Sequence, residues 1–225
     1  MSELKTNTKY IVENFYTSEV GQNLKDYDKS HTQRIKLTTK HLLGYEIKDK
    51  VVCDMGCGTG IILKNLDSTN ELIGVDGAKI ELEDNITRYQ CNFDYDQFSE
   101  TIGEQRVDHM LSFETFEHLT NPYNFIFECK KILKEGGIFH ISYPTMRVQH
   151  NTFYPGLLWP SKSFLVFMSQ MAFKLEKQFE MPTRFGGVHF YVFENRPWEE
   201  VKMFWPHDKS KEKFRGQPPH VQVNL

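Results

Sequence analysis

Apolar side chains recur along this chain in two rhythms. Short β-branched or apolar runs at residues 51–54, 72–76, 89–93, 107–113 and 137–143 have the length of strands. Before and between them the period lengthens. Residues 31–43 (HTQRIKLTTKHLL) set Ile35, Leu42 and Leu43 among polar neighbours and stop at Gly44, which predicts a leading helix. Residues 121–135 predict the clearest one. Asn121 can cap it, Pro122 suits its first turn, and Phe125, Ile126, Cys129, Ile132 and Leu133 repeat at helical spacing. Lys130, Lys131 and Lys134 sit near the negative end of its dipole, and Gly136 ends it. Strands alternating with helices predict crossover units, and so an α/β fold whose mostly parallel sheet is covered on both faces.

Composition narrows this without changing it. With 225 residues, 39% hydrophobic and 14% aromatic, the chain can bury one core, and a single domain is expected. A formal charge of −3 gives no general attraction to nucleic acid, so no nucleic-acid partner is expected. Cys53, Cys57, Cys91 and Cys129 lack the paired spacings of zinc ligands or a disulfide framework; they read as reduced, buried thiols, with no metal site. The opening MSELKTNTKY has no apolar core, and no window is long enough to span a bilayer, so a cytoplasmic protein is expected.

The chemistry begins at VVCDMGCGTG, residues 51–60. In a doubly wound sheet, ligands bind beyond the carboxyl ends of the strands, and a glycine-rich turn after the first strand lets the backbone approach closely. Gly56, Gly58 and Gly60 form that turn. A dinucleotide site would want GxGxxG, but position 61 is isoleucine, and there is no GK[ST] ending for a phosphate-gripping loop. Asp54, just ahead of the glycines, has the wrong sign for a pyrophosphate and the right one for a cationic amine. A nucleoside bearing an amino acid fits.

Motif by motif, the chain resembles the class I S-adenosylmethionine-dependent methyltransferases. VVCDMGCGTG is similar to their first motif, and LIGVDGA, VDHMLSFETFEHL and ILKEGGIFHISYP follow in the family's order, together covering about residues 31–145. The small-molecule group that includes ubiquinone-pathway and sugar methyltransferases is the most similar. The resemblance implies a Rossmann-like, doubly wound, mostly parallel seven-stranded sheet with an inserted aromatic-rich cap. It implies S-adenosylmethionine as cofactor and S-adenosylhomocysteine as product. Asp54, Gly56, Cys57, Gly58 and Gly60 would hold the methionine end; Asp76 would accept the ribose hydroxyls, and Gly77 and Ala78 would make room for adenine. Asn92, Phe93 or Asp94 would meet the adenine amino group, with the register open between them. The backbone of Ser112 and Phe113 would lie beside the methionine portion. NPY at 121–123 reads as a helix cap rather than as the adenine-methylating NPPY motif.

Methyl transfer to oxygen also needs the acceptor's proton removed, a task suited to histidine near neutrality. His118, just after the fourth strand, is the first candidate, although a loop histidine bonded to backbone would look the same; His189 is the second. His140, in the middle of a strand, reads as core. Tyr143, Arg147 and Arg184 are candidate acceptor contacts. Residues 146–190, dense in aromatics and methionine, read as an acceptor cap in which Phe164, Leu165, Phe167, Met168, Met171 and Ala172 share a helical face. The expected layout is a helical segment at 1–45, a cofactor core at 46–145, the cap, and a completion of the fold at 191–225, with a helix from about Pro197 and a last strand near 221–224. The expected activity is methylation of a small-molecule or glycan-precursor hydroxyl by a monomer or homodimer. The alternatives are N-methylation of a small amine or macromolecule, and a silent, methyltransferase-like binding subunit.

Overall fold

The computed structural model describes residues 32–79, 82–144, 161–183 and 186–200. Helix α1 (Thr32–Leu43) leads into β1 (Val51–Met55), β2 (Glu71–Asp76), β3 (Ile86–Gln90), α2 (Phe98–Ile102) and β4 (Val107–Phe113). Then come α3 (Pro122–Ile132), β5 (Leu133–Pro144), α4 (Ser161–Gln170), β6 (Phe173–Thr183) and β7 (Gly186–Asn195). Single 3-10 turns lie at Leu63–Asn65, Phe116–His118 and Trp198–Glu200. The strands form one seven-stranded sheet in the order β3-β2-β1-β4-β5-β7-β6. The first five run parallel, while β7 is antiparallel to both β5 and β6. Chain order reverses at β1, which pairs with β2 on one side and β4 on the other, so the crevice for a ligand opens above its carboxyl end. The sheet is the mostly parallel, doubly wound one expected.

Strand side chains alternate between faces, and this sheet uses the alternation to build two different interiors. One face packs Cys53, Met55, Ile73, Val75, Met110, Phe139 and Ile141 against α2, α3 and α4. The other packs Val52, Leu72 and Leu111 with Leu42 of α1 and Leu63 of the 3-10 turn. Helix α3 starts as its sequence dictates: the Asn121 side chain accepts from the Asn124 N–H at 3.3 Å, and Pro122 opens the helix.

Three expectations are corrected. The α3 helix stops at Ile132 rather than 135, because Leu133 already pairs with Val107 of β4. The ladder then skips residues 134–137, where Gly136 at φ +75° makes the bend. Strand β3 lies at 86–90, not 89–93, because Phe93 turns into the core against Phe98 and Phe125 at ring distances of 5.8 and 5.3 Å. The assigned cap is smaller than residues 146–190. Residues 173–183 and 186–190 belong to the β6–β7 hairpin, and α4 spends its Phe164, Leu165, Phe167 and Met168 on the core. Strand β6 escapes notice in the sequence because a bulge between Leu175 and Lys177 breaks its alternation. Phe173 and Leu175 face the aromatic core, whereas Phe179, beyond the bulge, packs with Phe190 on the opposite face. A 3-10 turn lies at Trp198–Glu200, and the rest of the helix expected from about Pro197 falls outside the described residues. The expected strand near 221–224, Arg147 and Arg184 lie outside the described residues. Among those described, no helix is long and apolar enough to cross a membrane.

Candidate active site

The glycine turn is fixed to the sheet rather than free. The N–H groups of Gly56 and Cys57 both donate to the Val75 carbonyl of β2, at 2.8 and 3.1 Å. Gly56, Gly58 and Gly60 have φ of +86°, +50° and +72°, a region that side chains with a Cβ rarely adopt. At Gly56 a second reason applies: a Cβ there would come within 2.1 Å of Thr115 Oγ1. The turn after β4 therefore abuts the glycine turn. Beside Gly58, by contrast, a Cβ would meet nothing within 4 Å among the described residues, which leaves space beside its backbone.

Asp54, next to last in β1, and Asp76, last in β2, lie on the same sheet face, and both are buried. Asp76 Oδ2 accepts from the Gly58 N–H at 3.0 Å and Oδ1 from the Ala78 N–H at 2.9 Å, so this side chain organises the loop while keeping lone pairs to spare. Burial raises its pKa, and the N–H groups of Ala78, Gly58 and Gly77 oppose the rise. Asp54 is held up at about 7, by burial first and then by the charge of Asp76. No described cation pairs with it. Two buried acids beside an open stretch of backbone suit a ligand that brings positive charge and hydroxyl donors, which is the chemistry of S-adenosylmethionine. The residues present fit that cofactor.

The remaining cofactor candidates divide. Cys57 is buried, its thiol pushed up chiefly by burial, so its backbone is what it offers the loop. Ala78 is 2% exposed, a packed floor rather than an open shelf, and Gly77 O accepts from Gln90 Nε2 at 3.1 Å. The Phe93 ring is spent on the core. Asp94 Oδ1 accepts from the Thr120 and Asn121 N–H groups at 2.7 and 2.8 Å, joining the loop after β3 to the start of α3. Only Asn92 of the three is partly exposed, with Oδ1 accepting from the Asp94 N–H at 3.1 Å. The 92–94 segment thus leaves Asn92 as its side chain nearest to open space. Ser112 Oγ is buried without a hydrogen-bond partner among the described residues, and Phe113 packs 5.7 Å from Phe190.

On the acceptor side, His118 lies in the 3-10 turn with its Nε2 3.7 Å from Glu117 Oε1. His189 of β7 stands opposite Tyr143 at the carboxyl end of β5 and is partly exposed, with burial lowering its pKa and Glu180 opposing that. Tyr143 itself is seated in the aromatic core, its ring 4.9 Å from Phe164 and 5.8 Å from Tyr191, rather than lining an open pocket. Sequence reasoning passed over Glu114, Glu117, Arg34 and Ser142. Glu114, at φ +57°, accepts from Ser142 Oγ at 3.0 Å and meets Arg34 of α1 at 3.5 Å. Burial raises the pKa of Glu114 and, more strongly, that of Glu117. The two acids three residues apart in FETFEHL, after an apolar strand, were the available signal.

Fold and site together define a class I S-adenosylmethionine-dependent methyltransferase domain. The chain belongs to the methyltransferase domain family, which it matches over residues 27–196. It is 30% identical over 109 residues to the mitochondrial ubiquinone biosynthesis O-methyltransferase of Dictyostelium discoideum, covering 40% of this chain and 34% of that one. To a probable S-adenosylmethionine-dependent methyltransferase of Mycolicibacterium smegmatis it is 28% identical, covering 54% and 47%. The chain spans less than half the length of the curated relatives it matches. Among solved structures, it resembles Burkholderia thailandensis 1,6-didemethyltoxoflavin-N1-methyltransferase with bound 1,6-didemethyltoxoflavin and S-adenosylhomocysteine. The TM-score is 0.65 at 15% identity, over 88% of this chain and 93% of that one.

Proposed function

We propose that this chain transfers a methyl group from S-adenosylmethionine to a hydroxyl oxygen of a small molecule or glycan precursor. The observation that carries the reading is the pair of buried carboxylates, Asp54 and Asp76, flanking positive-φ glycines, with no described residue within 4 Å of a Cβ at Gly58. Asp54 would take the cofactor's amino group and Asp76 its ribose hydroxyls, while Gly77 and Asn92 would border adenine, and Ser112 and Phe113 the methionine portion. When bound, the cofactor supplies an electrophilic methyl on a sulfonium. The protein's task is then to align the acceptor and remove its proton. His118 and His189 are the histidines at the carboxyl edge of the sheet that could do so. Oxygen is favoured over nitrogen by the names of the relatives, several of which are ubiquinone biosynthesis O-methyltransferases.

A labelled-methyl screen over catechols, sugars, alcohols and amines, with mass spectrometry of the product, tests this. Label on a hydroxyl is expected; label confined to amines refutes the choice of oxygen. A silent scaffold would show neither turnover nor Asp76-dependent binding of S-adenosylhomocysteine. Turnover of His118→Ala within a few-fold of wild type would remove that histidine from the mechanism.

A further inference from the structure

We propose that Arg34 of α1 is a positioning residue for the cofactor: through Glu114 it holds the turn after β4 against the glycine loop. This rests on the cofactor site of the reading above, and not on which atom accepts the methyl.

The turn needs holding. Glu114 has φ +57°, a left-handed conformation that a residue with a Cβ seldom keeps unless its surroundings impose it. Three contacts impose it here. The Glu114 N–H donates to the Ser142 carbonyl at 3.1 Å, and Ser142 Oγ donates to Glu114 Oε1 at 3.0 Å, so β5 fixes the residue from one side. From the other side Arg34 Nη1 lies 3.5 Å from Glu114 Oε2, with both side chains largely buried. One carboxylate thus joins α1 to β5 across the end of β4. The effect falls on the next residue. Thr115, whose Oγ1 donates to the Phe113 carbonyl at 3.4 Å, fills the space that a Cβ on Gly56 would need. The glycine loop is tied to the sheet by the Val75 carbonyl, whereas the turn facing it depends on Glu114. What sets Glu114 therefore sets the second wall of the loop.

Docking of α1 does not itself require Arg34. Ile35 and Leu42 already pack with Val52 and Leu63. The charge answers a different need. Burial pushes the carboxyls of Glu114 and Glu117 up, and Arg34 opposes the rise at both. Removing it strands one buried acid beside another, which favours a turn that brings Glu114 to water. Thr115 would then leave Gly56, and the two walls would part.

Titration calorimetry with S-adenosylhomocysteine tests this on Arg34→Met, Glu114→Gln and the double variant. Each single variant is expected to bind about tenfold more weakly than wild type, and the double no more weakly than either, because the two side chains act as one unit. Folded single variants that bind within about twofold of wild type, or a double whose loss is the product of the two, would overturn the proposal. Should a single variant fail to fold, the double, which buries no unpaired charge, must still lose about tenfold. Wild type offers a readout that needs no substitution. If Arg34 favours binding, bound S-adenosylhomocysteine must slow hydrogen exchange of the α1 amides near Arg34 more than that of the β6 amides. Equal slowing in the two elements refutes the latch. A merely structural ion pair would lower the urea midpoint and leave both the affinity and this exchange pattern unmoved. Wild type that binds S-adenosylhomocysteine while the variants match it sinks this inference alone; wild type that does not bind it sinks the cofactor site and this inference together.

Discussion

On the sheet face turned away from α1, Met110, Phe139, Ile141, Tyr191 and Phe193 meet Phe125 of α3 and Phe164 of α4 in one large apolar cluster. Under α1 the opposite face of the sheet presents, beside the Val52, Leu72 and Leu111 cluster, Asp54, Asp76, His109, His140 and Ser142. There His41 of α1 and His140 approach to 3.3 Å between ring nitrogens, and His140 and His109 do the same. Arg34 adds the contact to Glu114. Polar residues two apart in a strand fall on one side, so a single alternation separates a dry, packed face from a titratable one. The lesson is a division of labour: stability should respond mostly to the first face, and ligand binding and pH to the second.

The sharpest way to break that division is Phe164→Ala. Phe164 is fully buried among Phe116, Tyr143, Tyr191 and Phe193, and its loss should cost about 3–5 kcal/mol. Urea unfolding should show this while affinity for S-adenosylhomocysteine stays nearly unchanged; a parallel loss of affinity would erase the distinction. Next is Gly56→Ala, which combines φ +86° with a Cβ 2.1 Å from Thr115 Oγ1. Strain and overpacking of roughly 2–4 kcal/mol should appear mainly as weaker cofactor binding, measured by titration calorimetry. The smallest effect is acid sensitivity. His41 is lowered from 6.5 to about 4 by burial first and Lys177 second, and burial also lowers His109 and His140. The unfolded chain binds these protons near pH 6.5 and the folded one resists them, so this contribution is complete above 6.5 and fades as pH falls toward 4. Discounted for the partial exposure of His41, the loss at pH 5 should be about 1–2 kcal/mol. Asp54, Asp76, Glu114 and Glu117, whose pKa values burial raises, gain stability over the same fall in pH. Denaturant melts at pH 7.5 and 5 are therefore compared between wild type and His41→Gln; an identical pH response of the two would show that the histidine chain stores no such linkage.

Legibility in the sequence followed how local each cause was. β1, β2 and β4 could be read because each apolar run meets an acid at or beside its end, Asp54, Asp76 and Glu114. The start of α3 could be read because its cap acts within three residues. Its end could not, since pairing of Leu133 with Val107 across 26 positions overrides helical spacing. Strand β6 was hidden by one bulge that reverses its inward side. Of the site, Asp54, the glycines and Asp76 stood in one βαβ-like stretch. The histidine chain joins residues 41, 109 and 140, and the Arg34–Glu114 pair joins 34 and 114, so neither leaves a local trace.

One carbonyl, that of Val75, receives the amides of both Gly56 and Cys57. Since Met55 and Val75 are themselves register partners, the glycine turn is an extension of the β1–β2 ladder. It should therefore keep its shape with or without a ligand, with these amides among the last to exchange their hydrogens for deuterium.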